Sequence, residues 1–283
     1  MYQTDPPLPP QETLPTMYDL PSEDPGGPGL PDEFHDLQPQ LLYETFRPPT
    51  VSASQIFVGT DLNLYYDVRH PQWYKRPDWF AAVGVPRLYD QRDLRLSYVI
   101  WQEGVSPYVV VELLSPGTEK EDLGQTLRDV NQPPTKWEVY EQILRVPYYV
   151  VFDRYSDRLQ AFQLVADRYS ELELTQARIW MPTLELGLGL WQGTFQGIDR
   201  LWLRWYDALG EWIPTPTEIE SQQAEQERQR AEQEHQRAEQ EHQRAEQEHQ
   251  RAEQAELLLE QERQRLERLA EQLRKMGIDP EQI

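Results

Sequence analysis

The sequence predicts a mixed α/β domain in the middle of the chain, followed by one long helix built from a heptad repeat. Two observations support this prediction. Between residues 41 and 213, short apolar runs rich in Val, Tyr and Trp alternate with capped helical segments, which is typical of one mixed sheet flanked by helices. From Ala224 to Arg251, the heptad A-E-Q-E-(R/H)-Q-R occurs four times, and a strict period of seven indicates a helix that can pair.

The strands of the central domain are predicted from β-branched and aromatic runs. They are Trp79–Val85, Leu96–Trp101, Tyr108–Leu114, Tyr148–Phe152 and Leu159–Leu164, with Ile179–Leu190 and Ile198–Trp205 as later sheet segments. Two capping boxes predict helices that open at Thr118 and, after two prolines, at Thr135.

The flanking regions differ in composition from this domain. Residues 1–40 hold ten of the 24 prolines and few aliphatic side chains, so we predict a disordered acidic arm, with a Pro-rich recognition segment as the alternative. The predicted organisation is an arm (1–40), a domain (41–213), a linker (214–222), a long charged helix or coiled coil (223–277) and a tail (278–283). Leu259, Leu266 and Leu273 continue the heptad position of the alanines, which predicts a homo-oligomer through the C-terminal helix. A solitary charged helix is the alternative.

Charge and cysteine content limit the classes of function. The net charge is −22, with −8 in residues 1–50 and −6 in residues 221–283, and no segment forms a basic stripe; this counts against non-specific DNA binding. The chain has no cysteine, which excludes disulfides and thiolate chemistry. It has no apolar run long enough to span a membrane and no basic-then-apolar N-terminus, so we expect a cytoplasmic protein.

Glu112 is the most informative residue of the domain. It follows the apolar run Val109–Val111 directly, and alternation along a strand places it on the same face as Val110. A carboxylate there costs several kcal/mol unless it is paired, hydrogen-bonded or metal-bound. Glu112 is therefore a candidate ligand or catalytic residue.

Lys136 and Asp78 complete the candidate site. Lys136 shares a helix face with Val139, Tyr140 and Ile143, so we expect its ammonium to meet an anion; a lysine that reaches solvent from a helix end is the alternative. Asp78 precedes the strand from Trp79, where a simple turn is the alternative. Two carboxylates and a lysine suit Mg²⁺ or Mn²⁺ and phosphodiester chemistry.

These segments resemble the bacterial Uma-two family, whose members are described as restriction endonucleases of the PD-(D/E)XK superfamily. The resemblance rests on R-P-D-W-F-A-A-V-G-V-P, V-V-V-E-L-L-S-P-G-T-E-K-E-D and K-W-E-V-Y…V-P-Y-Y-V-V-F-D, within about Ser54–Leu164. It implies a restriction-endonuclease-like mixed sheet, with Asp78 and Glu112 as metal ligands and Lys136 as the catalytic lysine, moved from the strand to the following helix. Ser115 follows Glu112 in an E-x-x-S pattern, so no lysine stands at the family's E-x-K position.

Several rival residues remain open. Lys120 is a second candidate lysine. The superfamily commonly takes an additional acid from its first helix; Glu44 and Asp61 are candidates for it, and neither is assigned. No histidine stands near Ser115 in the sequence, so a serine hydrolase is not expected. A local basic groove could be formed by residues near Asp78 in sequence, namely Arg69, Lys75, Arg76, Arg87, Arg92 and Arg95.

The predicted function is a Mg²⁺- or Mn²⁺-dependent endonuclease that hydrolyses DNA phosphodiester bonds. The alternative is a catalytically inactive scaffold of the same fold that oligomerises through its C-terminal helix.

Overall fold

The computed structural model describes residues 32–115, 119–126 and 132–277. It divides into two compact units, Met1–Pro216 and Thr217–Ile283. The first contains the sheet and the candidate site, and the second is helical. The predicted turn and cap around Thr118, residues 1–31 of the predicted arm and the predicted tail 278–283 lie outside the described residues.

The regular elements of the described chain alternate between strands and short helices. In order they are α1 (Glu33–Thr45), β1 (Ile56–Thr60), β2 (Leu64–Tyr65), β3 (Tyr74–Lys75), β4 (Trp79–Val83), β5 (Tyr98–Val99), α2 (Ile100–Glu103), β6 (Val109–Leu113), α3 (Glu119–Asp122), α4 (Lys136–Glu138) with a π-helical continuation (Val139–Ile143), β7 (Tyr148–Asp153), β8 (Arg158–Val165), β9 (Arg168–Glu171), β10 (Arg178–Met181), β11 (Leu186–Phe195), β12 (Ile198–Tyr206) and α5 (Pro216–Lys275). Single 3₁₀ turns occupy Ala53–Gln55 and Pro182–Leu184.

A mixed sheet forms the centre of the first unit. Within the described residues its six strands run in the order β1-β4-β6-β7-β8-β9. Strands β6 and β7 are parallel, whereas the other neighbours are antiparallel. The antiparallel strands β10-β11-β12 and the short strands β3-β2-β5 form two further sheets in this part of the chain. The mixed sheet agrees with the fold class that the sequence predicts.

Strand β6 is covered on both faces, which explains its unbroken apolar run. Val109, Val111 and Leu113 pack into a cluster with α1 and with side chains of β10, β11 and β12. Val110 and Leu114 pack into a second cluster on the opposite face, together with the π-helical segment. Glu112 alternates with Val111 and therefore lies on the side of the second cluster.

Three predicted strands need correction. Strand β4 ends at Val83, because Gly84 adopts a left-handed conformation with φ of 87°. The strand predicted at Leu96–Trp101 is wrong over most of its length, since only Tyr98–Val99 is extended before α2 begins and Leu96 is 95% exposed. The segment Ile179–Leu190 is two strands separated by the turn at Pro182.

The predicted arm of residues 1–40 is wrong at its C-terminal boundary. Helix α1 begins at Glu33, where the Asp32 side chain accepts hydrogen bonds from two backbone N–H groups and caps the helix. Phe34, Leu41 and Leu42 are buried on the face that meets the sheet. Few apolar residues are enough to order this segment, because they share one helix face.

The second unit consists of helix α5. This helix begins at Pro216, so the predicted linker of residues 214–222 is wrong from that residue onward; proline is well suited to a first helical turn. Its 60 residues correspond to about 90 Å at 1.5 Å per residue. Nearly all of its side chains are exposed. Neither this helix nor any other in the described chain is apolar enough over sufficient length to cross a membrane.

Candidate active site

The first relationship in the site is set by the register of two strands. Trp79 lies opposite Val111 and Phe80 opposite Val110 in the antiparallel pair of β4 and β6. Continuing this register by one residue places Asp78 opposite Glu112. The backbone N–H of Asp78 points to Oε2 of Glu112 at 3.4 Å, and the N–H of Leu113 donates to Oδ2 of Asp78 at 2.6 Å. The two predicted carboxylates are thus brought together by strand pairing.

Lys136 reaches the same place from the first turn of α4. The Thr135 hydroxyl and the Glu138 carboxylate form the predicted capping box, which fixes where this helix begins. From there the Lys136 ammonium donates to Oε2 of Glu112 at 3.0 Å. Lys120, the rival lysine, lies exposed on α3. Of the two lysines, Lys136 is therefore the one that contacts Glu112.

Asp122 is a member of this cluster that the sequence did not reveal. It ends helix α3, is 1% exposed, and its Oδ1 lies 3.0 Å from the ammonium of Lys136. Its backbone carbonyl accepts a hydrogen bond from the Tyr149 hydroxyl at 2.9 Å, which anchors the end of α3 to strand β7. In the run E-K-E-D no sequence signal separates Asp122 from Glu119 and Glu121, which are less buried.

Glu112 is held from both of its oxygens. Oε1 accepts a hydrogen bond from the Tyr140 hydroxyl at 2.8 Å, and Oε2 accepts from Lys136. Its side chain is fully buried. Tyr140 lies four residues after Lys136 on the same helix face, so one turn supplies both donors. These two hydrogen bonds therefore fix the orientation of the Glu112 carboxylate.

The charges of the cluster do not balance. Three carboxylates face one ammonium, and burial raises the pKa of Glu112 well above its usual 4.5, with Asp78 and Asp122 raising it further. Burial also raises the pKa of Asp78. Burial by itself would lower the pKa of Lys136, but the three carboxylates outweigh it and raise that pKa well above 10.5. Lys136 therefore stays protonated, and because the three carboxyl groups outnumber this ammonium, the cluster needs a proton or a further cation to balance its charge.

His35 on α1 is a second group that sequence reasoning missed. Its Nδ1 lies 2.9 Å from Oδ1 of Asp32, and its Nε2 lies 3.2 Å from the carbonyl oxygen of Leu113 and 3.1 Å from the Ser115 hydroxyl. Both a carboxylate and a carbonyl only accept hydrogen bonds, so both ring nitrogens carry protons. Although burial lowers the pKa of His35, the hydrogen bond to Asp32 and the charge of Asp78 raise it above 6.5 overall.

The expectation that Ser115 has no histidine near it is therefore wrong, because a histidine from α1 reaches it. Asp32, His35 and Ser115 have the connectivity of a serine-hydrolase triad. Nevertheless, the base of such a triad needs an unprotonated Nε2, whereas the carbonyl oxygen of Leu113 only accepts hydrogen bonds and its contact with Nε2 therefore favours a protonated nitrogen. The contact provides a cation beside Asp78 and does not activate Ser115 as a nucleophile.

The two additional acids that the sequence suggested, Glu44 and Asp61, have different surroundings. Glu44 accepts a hydrogen bond from Gln40 on the surface of α1. Asp61 is paired with Arg76 at 2.6 Å, and its backbone N–H donates to the carbonyl of Asp78. Asp61 and Asp78 both line a cavity of about 420 Å³ that also includes His35 and Asp36. Asp78 is therefore accessible from this cavity, whereas Glu112 is not exposed.

The predicted basic groove near Asp78 is wrong for most of its members. Lys75 is buried in an ion pair with Glu121, and Arg95 is buried in one with Glu103. The other paired cations are exposed and contact aspartates; they are Arg69, Arg76 and Arg92. Sequence proximity suggested a groove, but most of these cations are satisfied within the fold. Arg87 differs, because it makes no ion pair with any residue in the described part of the chain and lines the cavity with Asp78.

The comparison with known families decides the identity of the domain. A family model described as "Uma2: Putative restriction endonuclease" matches residues 19–196. The chain belongs to the Uma2 family. The match covers the mixed sheet and the cluster of Asp78, Glu112 and Lys136, and with the observed strand order it confirms the predicted fold class, a restriction-endonuclease-like mixed sheet flanked by helices with a long C-terminal helix.

The comparisons with solved structures and with curated proteins add little to the family match. One similar solved structure is described as the "Crystal structure of a putative nuclease belonging to DUF820 from Anabaena variabilis ATCC 29413". The two chains are 10% identical, with a TM-score of 0.38, and the similarity covers 55% of this chain and 76% of the other. No curated protein matches the chain at a significant level. Membership of the Uma2 family supports a nuclease as the class of activity.

Proposed function

We propose that this Uma2 protein is a Mg²⁺- or Mn²⁺-dependent endonuclease that hydrolyses DNA phosphodiester bonds. The observation that carries the proposal is the buried cluster in which Asp78, Glu112 and Asp122 surround a single lysine, Lys136. An excess of buried carboxylates over cations is stable only if a proton or a metal ion compensates it.

The donor set fits a divalent ion with oxygen ligands. In residues 32–115, 119–126 and 132–277, no group of three or more His, Cys, Asp or Glu side chains has a metal-binding arrangement, so a cage made entirely of protein ligands is not available there. Mg²⁺ commonly binds through one or two carboxylates and completes its shell with water and substrate phosphate. Asp78 and Glu112 fit this role, since each keeps lone pairs that its hydrogen bonds do not use.

The residues of the chain have distinct roles in the proposed reaction. When bound, the metal ion polarises the phosphodiester and stabilises the leaving oxygen. Lys136 has three N–H donors, of which Glu112 accepts one, while Asp122 lies at ion-pair distance. A further donor is available to a water molecule or a phosphate oxygen, because the side chain is 20% exposed. Because its pKa is raised, Lys136 positions the attacking water by donation and does not remove its proton.

Nicking of supercoiled plasmid by the full chain tests the proposal. We expect cleavage in Mg²⁺ or Mn²⁺ and none in the presence of a chelator. For Asp78→Asn and Glu112→Gln we expect the cleavage rate to fall by a factor of about a hundred or more. Asp61→Asn is the matched control, because Asp61 lines the same cavity but pairs with Arg76. Identical products from the wild type and both variants would contradict the proposal.

A second candidate function is a scaffold of the same fold that assembles through α5 without cutting DNA. The observation that favours it is a row of exposed apolar side chains near the end of that helix, in which Leu259, Leu266, Leu269 and Met276 are 46–73% exposed. Leu259 and Leu266 occupy one heptad position, and Leu269 and Met276 occupy the position three residues further along, which is the spacing that a coiled-coil seam requires. This candidate predicts self-association without Mn²⁺ affinity or nicking activity.

A further inference from the structure

A groove leads from Asp78 along helix α1 and strand β1. Its first part is the cavity of about 420 Å³ that Asp78 and His35 line. Its second part is a cavity of about 350 Å³, lined mainly by apolar side chains. The two cavities share Tyr43, Val58 and Arg87, so they are continuous over the surface between α1 and β1.

The two ends of this groove carry opposite charge. At the first end lie the carboxylates of Asp36 and Asp78, together with Asp61, whose charge Arg76 neutralises. At the second end lies the guanidinium group of Arg47, and Arg87 lies at the junction, where it lines both cavities. An acidic end suits a metal ion and a basic end suits an anion, so the groove is matched to a ligand that bridges the two.

Arg47 and Arg87 differ from the other cations near the site. Arg47 is exposed and its guanidinium bonds only to the carbonyl oxygens of Tyr43 and Phe46 within the described structure. Arg87 has no carboxylate partner among the same residues, whereas Lys75, Arg76 and Arg95 are neutralised. In a chain with a net charge of −22, two arginines without carboxylate partners at one groove form a local anion-binding surface.

The wall between these arginines is apolar and partly aromatic. The Tyr43 ring is 42% exposed at the junction of the two cavities. Pro48, Val51, Ile56 and Val58 line the rest of the second cavity. Aromatic and apolar surfaces next to arginines are the chemistry with which proteins hold single-stranded nucleic acids, because bases stack on the ring and phosphates meet the guanidinium groups.

We propose that this groove binds the nucleic-acid strand next to the scissile phosphate, with Arg47 and Arg87 on its phosphates and a base or sugar against Tyr43. The inference rests on the proposed nuclease function and names how its substrate is held. It explains how a strongly acidic protein binds a polyanion: the contact is confined to one groove, and the metal site occupies its acidic end.

Binding and cleavage are measured separately to test this. The probe is a fluorescein-labelled 12-nucleotide single strand, bound to the full chain in Ca²⁺ and followed by fluorescence anisotropy. We expect Arg87→Ala and Arg47→Ala each to weaken binding about tenfold, and the slope of log K against log salt to fall by about 0.7 for each arginine. Arg87→Lys keeps the charge and should retain most of the slope.

Arg92→Ala is the matched control, because Arg92 is 85% exposed and lies beside Asp90 outside the groove. Circular dichroism confirms that each variant is folded. Equal binding by the wild type, Arg47→Ala and Arg87→Ala would overturn the groove proposal even if the protein nicks plasmid. A wild-type protein that does not bind the single strand would also overturn it. Weaker binding by Arg47→Ala and Arg87→Ala, with no effect of Arg92→Ala, supports the groove even if no cleavage is seen, in which case only the nuclease proposal fails.

Discussion

Asp78, the residue directly before β4, lies beside Glu112 of the antiparallel strand β6, and its backbone N–H points to Oε2 of Glu112 at 3.4 Å. Strand pairing rather than a flexible loop therefore fixes the distance between the two carboxylates. Tyr140 and Lys136 hold Glu112 from the other side. A rigid arrangement of this kind is what a site needs to bind an ion without reorganisation.

Replacing Lys136 should destabilise the fold. Lys136→Met leaves Glu112 and Asp122 buried without their cation, and we expect the free energy of unfolding to fall by about 3 kcal/mol. Saturating Mg²⁺ should return part of that loss, because a bound cation compensates the same carboxylates. Urea denaturation with and without Mg²⁺ measures both effects. A variant as stable as the wild type in chelator would contradict this account of the cluster.

Removing the Tyr140 hydroxyl should affect metal binding as well as stability. Tyr140→Phe leaves Oε1 of Glu112 without its donor, which costs about 1–3 kcal/mol for a buried acceptor. Tyr98→Phe is the matched control, because its buried hydroxyl donates to the carbonyl of Val105 and not to a carboxylate. Both variants should lose stability in urea. Only Tyr140→Phe should change the affinity for Mn²⁺, and an equal affinity in both would show that Tyr140 has a packing role alone.

The raised pKa of Glu112 predicts a specific dependence of stability on pH. Its pKa is higher in the folded chain than its usual 4.5, chiefly because of burial, so its protonated form favours the fold. This contribution is fully present below about pH 4.5 and decreases as the pH rises through the folded-state value. In chelator, the free energy of unfolding of the wild type should therefore fall with pH more steeply than that of Glu112→Gln.

Urea denaturation between about pH 5 and pH 8 measures this difference. Mg²⁺ should reduce the slope of the wild type, because ion binding favours the ionised carboxylates more as the pH rises. Asp61→Asn is the control, since Asp61 is exposed and outside the buried cluster. Parallel curves for the wild type and Glu112→Gln would contradict the assignment of the raised pKa.

The exposed leucines of α5 predict self-association of the chain. Leu266→Gln should shift the full chain toward monomer in sedimentation velocity, because it places a polar group in the coiled-coil seam. Leu257→Gln is a matched control: Leu257 is also exposed, at 61%, but it lies two residues before the seam position of Leu259. A wild-type chain that sediments as a monomer at all concentrations would leave α5 a solitary helix.

Much of the candidate site follows from local periodicity. Alternation along Val109–Glu112 predicts the buried face of Glu112, and helical spacing from Thr135 predicts that Lys136 shares a face with Tyr140. Both inferences hold because the residues belong to regular elements with known periods. The same spacing failed further along: Glu141 is buried and Ile143 is 44% exposed, because the chain becomes π-helical from Val139 and the 3.6-residue period no longer applies.

The remaining parts depend on contacts between distant segments. His35 meets Leu113 and Ser115 across 78 and 80 residues of sequence, and Asp122 at the end of α3 meets Lys136 at the start of α4. No period or motif within either segment encodes these contacts. The same is true of the ion pairs that neutralise Lys75 and Arg95. For this reason a basic groove was expected from six cations, of which Arg87 is the one that lines the cavity with Asp78.

Binding of Mn²⁺ to the full chain, followed by electron paramagnetic resonance, tests most directly whether Asp78 and Glu112 hold one ion together. The account predicts one bound Mn²⁺ for each chain, loss of that ion in Asp78→Asn and in Glu112→Gln, and its retention in Asp61→Asn. A wild type without bound Mn²⁺, or one whose binding is unchanged in both variants, would contradict the proposed metal site.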